Sequence, residues 1–481
     1  MLSKIRRIAP ALLILLGLSA CQIFGLSIGD KPKPGTLRPG VAADIGAREH
    51  PRVVATYGGV YEDAGTERAI AKVVGKLVSV SDDPETQYRI TILNSPAVNA
   101  FALPGGYLYV TRGLLALAND TSELAAVLAH EMAHVTANHA MKRKRRADEA
   151  ELVGQVMTSV GRDQASIDAA IKETQLDFAR FSQSQELQAD DIGVRTLAAA
   201  GYDPYAAARF LQTMGAFARY QSLGGNGGGA PDFLASHPNT PARVKRAILS
   251  ARQIGAPGIG VRDRDAYLDD IDGILYGDDP LEGYIRGRSF LHKALGIAFE
   301  VPDGFIPENS PDAVLASNGS GTAMRFDGAD LTGFQKLEGY MRSGWINGLI
   351  DNSVRPTTIN GLPAMIGSAV TGGWSFRIGV IRIGQTGYRF IFASRTPNNN
   401  FTRDFERTLS SFRQLTPTEQ ARLQPLRVKI LEAREGDTAK RLAVNMSGVE
   451  VKRRLALFNI LNQSKSSTRY EAGDRVKIVV D

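Results

Sequence analysis

The spacing of apolar and polar residues changes character along this 481-residue chain. Over residues 65–251 apolar positions recur at helical intervals, except within 88–110, where the alternation is typical of short strands. Beyond residue 284 alternating segments dominate, among them Trp374–Ile383 and 388–393. The pattern predicts an α+β protein in which a mainly helical domain with a small β-sheet edge precedes an α/β module and a small β-α module.

The two later modules resemble known folds. Residues 285–415 combine alternating strands with a closing helix at 401–412, and they resemble the PsbP and Mog1-like α/β module. Residues 425–481 contain a Gly436-Asp437-Thr438 turn and a closing Gly473-Asp474 step, which resemble a LysM-like peptidoglycan-binding module. Two roles stay open for this last segment: glycan binding, or a purely structural β-α cap.

A chemical motif lies inside the apolar run of residues 123–135, where the chain reads His130-Glu131-Met132-Ala133-His134. On a helix, residues four apart differ by about 40° around the axis, so both imidazoles project from one face and can bind one metal ion. Glu131 lies about 100° from His130 and can reach a water on that ion. This layout is typical of a zinc hydrolase, in which the glutamate takes a proton from water that the metal has acidified.

A second helix is predicted to complete the site. The segment Glu186-Leu187-Gln188-Ala189-Asp190 places two carboxylates one turn apart. Glu186 would complete a His2Glu ligand set and leave the fourth position open, as catalytic zinc requires. Asp190 is placed to accept the free ring N–H of a ligand histidine. Such spacing is common on solvated helices, so the prediction depends on the histidine pair upstream.

These motifs carry a family resemblance. With Asn99-Ala100-Phe101-Ala102-Leu103-Pro104-Gly105-Gly106 ahead of them and Ser236-His237-Pro238 and Arg243 behind, they resemble the HtpX and CAAX prenyl protease family of HExxH zinc metallopeptidases. The resemblance covers roughly residues 50–250 and is strongest to soluble periplasmic lipoprotein members of the BepA and LoiP type. It implies a gluzincin site with one Zn²⁺ per chain. The implied ligands are His130, His134 and Glu186, and Glu131 is the general base.

The resemblance also assigns residues around the metal. Segment 98–103 corresponds to an edge strand that pairs with an extended polypeptide, so the implied substrate-binding residues are Asn99, Ala100, Phe101 and Ala102. His237 and Arg243 would lie near the metal, where they stabilise the oxyanion or block the open position. The glycine-rich segment 224–229 just ahead of His237 predicts a mobile lid or connector.

Three other histidines have no companions at ligand spacing. His139 lies five residues after His134, about 140° around a continuing helix, and is interpreted as structural. His50 and His292 receive the same interpretation.

The N-terminal residues predict export. Lys4, Arg6 and Arg7 precede an apolar stretch at 9–18, which is typical of a secretory signal peptide over residues 1–20. The following Ser19-Ala20-Cys21 resembles a bacterial lipobox, which implies that Cys21 is acylated rather than a buried thiol or a nucleophile. Residues 21–50 are then a lipid-anchored linker. Because Gln22 rather than Asp follows, the outer membrane is the favoured address, and no later apolar run is long enough to span a bilayer.

Charge adds little about partners. The formal net charge is +7, and removal of the signal peptide leaves about +4. The basic run Lys142-Arg143-Lys144-Arg145-Arg146 is interpreted as a solvated segment beside the motif helix, with contact to an anionic envelope surface as the alternative. We expect no nucleic-acid partner for an exported chain.

The sequence therefore predicts a zinc metalloendopeptidase domain at 51–280 that cleaves misfolded or stalled envelope proteins in the periplasm. Its expected partners are polypeptide substrates, the membrane through the lipid anchor, and peptidoglycan through the last module. One alternative is a tethered chaperone or outer-membrane assembly factor with little turnover. A peptidoglycan hydrolase is disfavoured because an edge strand suits polypeptide rather than glycan.

Overall fold

The computed structural model of the chain describes residues 39–148, 164–223, 237 and 241–481, and within them it is α+β, as the hydrophobic pattern predicts. The helices are α1 (Pro39–Thr56), α2 (Ala64–Ser79), α3 (Arg112–Leu117), α4 (Thr121–Thr136), α5 (139–148), α6 (Gln164–Ala199), α7 (Ala206–Leu223), α8 (Pro241–Ile254), α9 (Arg264–Ile271), α10 (Leu337–Met341), α11 (Asn399–Ser411), α12 (Pro417–Arg422), α13 (Ala439–Ala443) and α14 (Val451–Leu461), with a short 3-10 helix at Asp351–Ser353.

The strands are β1 (Arg89–Leu93), β2 (Ala100–Leu103), β3 (Tyr107–Thr111), β4 (Leu275–Tyr276), β5 (Tyr284–Arg286), β6 (Ser289–His292), β7 (Ile297–Glu300), β8 (Ile306–Ser310), β9 (Ala313–Ser317), β10 (Thr322–Asp330), β11 (Arg355–Ile359), β12 (Leu362–Thr371), β13 (Trp374–Ile383), β14 (Thr386–Ser394), β15 (Arg413–Gln414), β16 (Leu426–Glu432) and β17 (Arg475–Val480). The signal peptide, Cys21 and the glycine-rich segment 224–229 lie outside the described residues.

A small sheet lies beside the motif helix. Its order is β1-β3-β2, with β1 parallel and β2 antiparallel to β3, so β2 is an edge strand among the described strands. One face packs against α2 and α4 in the largest hydrophobic core. The other face carries a separate aromatic cluster to which Val53 and Tyr57 of the α1 region contribute.

Helix α4 has well-defined ends. Asp120 caps its start by accepting a hydrogen bond from the Glu123 backbone N–H at 2.9 Å, which satisfies a donor that the helix itself leaves unpaired. The helix stops at Thr136, because Asn138 adopts a left-handed conformation with φ of 54° that a helix does not admit. Helix α5 then starts at residue 139, so the helix carrying the motif does not continue through His139.

Helix α6 crosses α4 at very short range. At the crossing Gly193 faces His130, and a Cβ at residue 193 would lie 3.2 Å from the His130 backbone nitrogen. That separation is closer than side chains normally tolerate, so glycine allows the two helices to approach here. The close approach brings the Glu186 and Asp190 face of α6 onto the histidine face of α4.

Residues 284–415 contain two antiparallel sheets. The seven-stranded sheet has the order β11-β12-β13-β14-β10-β9-β8, and the four-stranded sheet has the order β15-β7-β6-β5. Helix α11 and an aromatic core that includes Phe299, Phe326 and Phe390 lie on one face of the larger sheet. A second core, which includes Tyr340 and Met341 of α10, covers its other face.

The last module packs into the helical domain. Strand β16 pairs with β17 and also with β4, which follows α9. Apolar residues of α13, α14 and β17 belong to the same core as those of α2, α3 and α4. The buried Lys477 of β17 donates hydrogen bonds to the carbonyls of residues 116–118 at the end of α3. The helical domain and this module therefore share one hydrophobic core.

None of the helices within the described ranges combines the length and the apolar character that crossing a membrane requires.

Candidate active site

The two motif histidines lie as their spacing predicts, one turn apart on a single face of α4. Their Nε2 atoms are 3.1 Å apart, and both side chains are buried. Helix geometry alone accounts for this pairing.

Glu186 reaches the same point from α6. Its carboxylate oxygens lie 3.4 Å from His130 Nε2 and 3.5 Å from His134 Nε2. His237 completes the cluster, with its Nδ1 3.3 Å from His130 Nε2 and 2.8 Å from Glu186 Oε2. One ligand atom from each of the four buried residues lies within 4.8 Å of every other.

The dimensions of this cluster fit a tetrahedral metal ion. With metal–ligand distances of about 2.0–2.2 Å, neighbouring ligands of tetrahedral zinc lie about 3.3 Å apart. The spacings of the His130, His134 and Glu186 donors, 3.1–3.5 Å, match that value. Three imidazoles and one carboxylate are also donors that zinc accepts.

The two motif histidines have opposite pKa shifts beside an ionised glutamate. Burial opposes protonation of His130, but hydrogen bonds with Asp190 and Glu186 outweigh it and raise the pKa of His130 to about 10. Burial lowers the pKa of His134 well below its ordinary value, and His130 and His237 lower it further. Burial opposes ionisation of Glu186, but the interactions with His237 and His130 outweigh it and hold the pKa of Glu186 far below its usual range. A deprotonated imidazole and an ionised carboxylate are the forms that bind metals.

Asp190 lies behind His130. Its Oδ1 is 3.0 Å from His130 Nδ1, the ring nitrogen that faces away from the cluster. Arg243 of α8 binds the same carboxylate with two hydrogen bonds, from Nε at 2.8 Å and from Nη2 at 2.7 Å. Its Nη1 lies 3.3 Å from Glu186 Oε2, so Arg243 contacts both carboxylates that α6 contributes.

Glu131 is buried beside the cluster. Its Oε1 is buried and forms no hydrogen bond with the described residues, and His237 Nε2 lies 3.6 Å away. Burial raises the pKa of Glu131, although His237 and His130 oppose that shift. A buried carboxylate oxygen with no hydrogen-bond partner is suited to accept a proton from a water or a substrate group.

The edge strand places its side chains on two faces. Phe101 stacks on Tyr109 with ring centroids 4.9 Å apart, on the face away from α4, and Ala100 and Ala102 pack into the core that α4 shares. Just before the strand, Asn99 donates its side-chain N–H to the Tyr57 hydroxyl at 3.1 Å. The strand therefore presents small side chains toward the motif helix.

The other three histidines lie outside the metal cluster, but His139 contacts it. His139 Nδ1 lies 2.9 Å from His134 Nδ1, and His139 Nε2 lies 3.0 Å from Gln188 Oε1. A contact of this kind was not expected, because it depends on the helix break at Asn138. An Asn before the histidine was the available signal, since Asn adopts left-handed conformations more readily than most residues. His50 contacts the Tyr109 hydroxyl, and His292 accepts from the Leu295 backbone N–H.

Comparison with known proteins agrees with this geometry. The model of Peptidase family M48 matches residues 64–249. The chain is 31% identical over 202 residues to the beta-barrel assembly-enhancing protease of Escherichia coli K12, a match covering 40% of each protein. It is 30% identical over 182 residues to the mitochondrial metalloendopeptidase OMA1 of Schizosaccharomyces pombe, covering 37% of this chain and 50% of that protein. The matches thus span half or less of these relatives.

Among solved structures, a cyanobacterial PsbP from Synechocystis covers 26% of this chain and 91% of its own, with 11% identity and a TM-score of 0.21.

Proposed function

We propose that residues 64–249, which the model of Peptidase family M48 matches, form a peptidase domain. We propose further that the chain is a zinc-dependent metalloendopeptidase that cleaves misfolded or stalled envelope proteins in the periplasm. The observation that carries the proposal is the buried group of His130, His134 and Glu186, whose donor atoms lie 3.1–3.5 Å apart, the spacing of a tetrahedral metal site. We assign His130, His134 and Glu186 as ligands of one Zn²⁺ per chain, with Asp190 fixing the His130 ring.

Each residue has a defined task in peptide hydrolysis. A bound zinc ion supplies Lewis acidity, which polarises the scissile carbonyl and acidifies water. Glu131 accepts the proton of the attacking water and passes it to the leaving amine. Burial raises the pKa of Glu131, which makes its carboxylate a stronger proton acceptor. Strand β2, with Asn99, Ala100, Phe101 and Ala102, pairs with the substrate backbone, so affinity depends little on substrate sequence.

His237 has two candidate roles. The position of its Nδ1 inside the cluster supports a gate, in which His237 is a fourth ligand at rest and moves away when substrate enters. The alternative is an oxyanion donor, which its Nε2 near Glu131 would serve. Arg243 holds Asp190 and Glu186 in place under either role. A gate requires that His237→Ala keeps or raises cleavage, whereas loss of an oxyanion donor lowers kcat on the order of 100-fold or more.

We further propose that Cys21 is acylated and tethers the chain to the outer membrane. Peptidoglycan is an additional proposed partner, through residues 425–481. Cys21→Ser would remove the anchor, so the protein should remain unprocessed by the lipoprotein signal peptidase and should fractionate differently from wild type. Normal maturation and unchanged fractionation of Cys21→Ser would contradict the assignment.

The deciding experiment combines metal analysis with cleavage of an unfolded protein. Glu131→Gln should abolish cleavage while one zinc per chain remains, because Glu131 is a base and not a ligand. Glu186→Ala should lower the zinc content instead. The exposed Glu67 of α2 provides the matched control, and Glu67→Gln should behave as wild type. Cleavage by Glu131→Gln at the wild-type rate would refute the mechanism.

A tethered chaperone with little turnover is the second candidate, favoured by the position of His237 in the cluster. It requires that wild type and Glu131→Gln suppress aggregation of an unfolded protein equally, with negligible cleavage by either.

A further inference from the structure

The two motif histidines are held from behind by different partners. His130 Nδ1 lies 3.0 Å from the Asp190 carboxylate, which is the arrangement expected behind a metal ligand. His134 Nδ1 instead lies 2.9 Å from Nδ1 of His139, whose side chain is fully buried. The second motif histidine therefore meets an imidazole where the first meets a carboxylate.

The helix break at Asn138 creates this contact. On a continuing helix His139 would point about 140° away from His134. Since α4 ends at Thr136 and α5 starts at residue 139, the two rings meet edge to face with centroids 4.8 Å apart. The His139 backbone is held as well, because Gln185 of α6 donates its side-chain N–H to the His139 carbonyl at 3.3 Å.

The protons along this contact can be assigned. If His134 Nε2 binds a metal ion, that nitrogen carries no proton, so its Nδ1 carries one. His139 Nδ1 must then accept, which leaves the His139 proton on Nε2. That N–H can donate to Gln188 Oε1, which lies 3.0 Å away and is an acceptor only. Each step is thus a donor facing an acceptor, from His134 through His139 to Gln188.

We propose that His139 is a positioning residue, which together with Gln188 fixes the tautomer and ring orientation of His134 for metal binding. This inference rests on the proposed function, because it takes His134 as a ligand. Both partner residues come from elements next to ligands: His139 begins α5 directly after the motif helix, and Gln188 follows Glu186 by two residues on α6. The support for His134 therefore comes from α6, which also supplies Glu186, and from α5, which directly follows the motif helix.

A packing role and a positioning role give different results for two substitutions of His139. In His139→Asn the side-chain oxygen takes the place of Nδ1 and keeps an acceptor for His134. In His139→Leu a side chain of comparable bulk remains, but the acceptor is lost. We expect His139→Leu to weaken zinc binding by about 10–100-fold, the usual cost of removing such a partner, and His139→Asn to stay within about threefold of wild type.

The measurement is the zinc dissociation constant of the full chain by competition with a chromophoric chelator, together with the visible absorption spectrum of the Co²⁺-substituted protein. The cobalt spectrum reports ligand geometry, so it should change in His139→Leu and not in His139→Asn. His292→Leu is the control, since His292 is buried and hydrogen-bonded but lies on strand β6 of the four-stranded sheet, whereas the proposed ligands lie on α4 and α6. Thermal unfolding of the metal-free proteins separates affinity from folding.

Gln188→Leu provides a second route if His139→Leu does not fold. It keeps both histidines and removes only the acceptor for His139 Nε2, so zinc affinity should fall by at least threefold. Unchanged zinc affinity and an unchanged cobalt spectrum in His139→Leu would overturn the proposal. The same result in Gln188→Leu would overturn it if His139→Leu does not fold. Equal losses of zinc affinity in His139→Leu and His139→Asn would overturn it as well. In those cases wild type still binds zinc and the proposed function stands. A wild-type chain that binds no zinc would overturn both.

Discussion

Replacement of Lys477 tests whether the C-terminal strand stabilises the helical domain. Lys477 is fully buried, and its ammonium donates to the carbonyls of Ala116, Leu117 and Ala118 at 2.9, 3.2 and 2.6 Å. These carbonyls lie at the C-terminal end of α3, where helix geometry leaves them without partners. The Asn119 side chain also donates to the Leu117 carbonyl. Lys477→Met would therefore leave the other two carbonyls, those of Ala116 and Ala118, without a side-chain donor.

The magnitude follows from those two carbonyls. A buried polar group left without a partner costs about 1–3 kcal/mol, which gives about 2–6 kcal/mol for the pair. Two effects offset part of this cost. Methionine adds apolar surface to the core, and it removes a buried ammonium whose pKa burial holds well below the ordinary lysine value. We therefore expect Lys477→Met to lower the free energy of unfolding by about 2–4 kcal/mol.

Urea denaturation with two probes makes the test specific. Both tryptophans, Trp345 and Trp374, lie in the module of residues 284–415, so their fluorescence follows that module. Circular dichroism at 222 nm is dominated by the helices. Lys477→Met should lower the midpoint of the helical transition at unchanged slope and leave the fluorescence transition in place.

Lys429 provides the matched control, because it is exposed on the neighbouring strand β16, and Lys429→Met should change stability by less than about 0.5 kcal/mol. An unchanged or increased stability of Lys477→Met would refute the reasoning. It would mean that the cost of burying the ammonium equals the gain from its hydrogen bonds.

Three further predictions concern other parts of the chain. Burial and the neighbouring Asp120 raise the pKa of Glu123 to about 7, above its unfolded value of 4.5. The folded protein therefore binds this proton more tightly than the unfolded chain does. The resulting stabilisation is fully present below pH 4.5 and is lost as the pH rises through 7. Between these two pKa values the free energy of unfolding should consequently fall by on the order of 3 kcal/mol more in wild type than in Glu123→Gln. Parallel pH profiles of the two proteins in urea titrations would contradict this prediction. Tyr57→Phe removes the hydroxyl that accepts a hydrogen bond from the Asn99 side chain beside β2. The KM for an unfolded substrate should therefore rise about threefold with kcat little changed. An unchanged KM counts against substrate pairing along β2. A Cβ at Gly46 would lie 2.3 Å from the Pro104 carbonyl oxygen. Gly46→Val should therefore displace α1 and speed hydrogen exchange in α1 and β3. Gly75→Val is the control and should not have this effect, because no atom lies within contact distance of a Cβ there.

Local rules were sufficient for the motif helix. The position of His130 and His134 on one face requires only a helix through residues 121–136, and the apolar run predicts that helix. The β-rich character of residues 88–110 likewise predicts strand structure in the segment that forms the small sheet, because strand propensity is a property of neighbouring residues. Glu186 was assigned by a different argument, since its spacing alone is common on solvated helices and the prediction depended on the histidine pair upstream, which needs a third ligand.

Contacts between distant segments were beyond such rules. Apolar periodicity shows that a face is buried but not what covers it, so nothing in residues 425–481 indicated that they share a core with α3 and α4. Lys477 illustrates the difference: a lysine in a short strand is ordinarily solvated, and only the carbonyls of α3 make its burial favourable.

The sequence by itself determined the elements that depend on neighbouring residues: the helix with both motif histidines, the alternating strands, and a candidate second helix with Glu186 and Asp190. Tertiary structure alone decided how these elements meet. Gly193 allows the close approach of α4 and α6, and the carbonyls at the end of α3 receive the buried Lys477. The physical reason is that helix and strand patterns follow from local backbone geometry, whereas these contacts join residues that are brought together only when the whole chain packs.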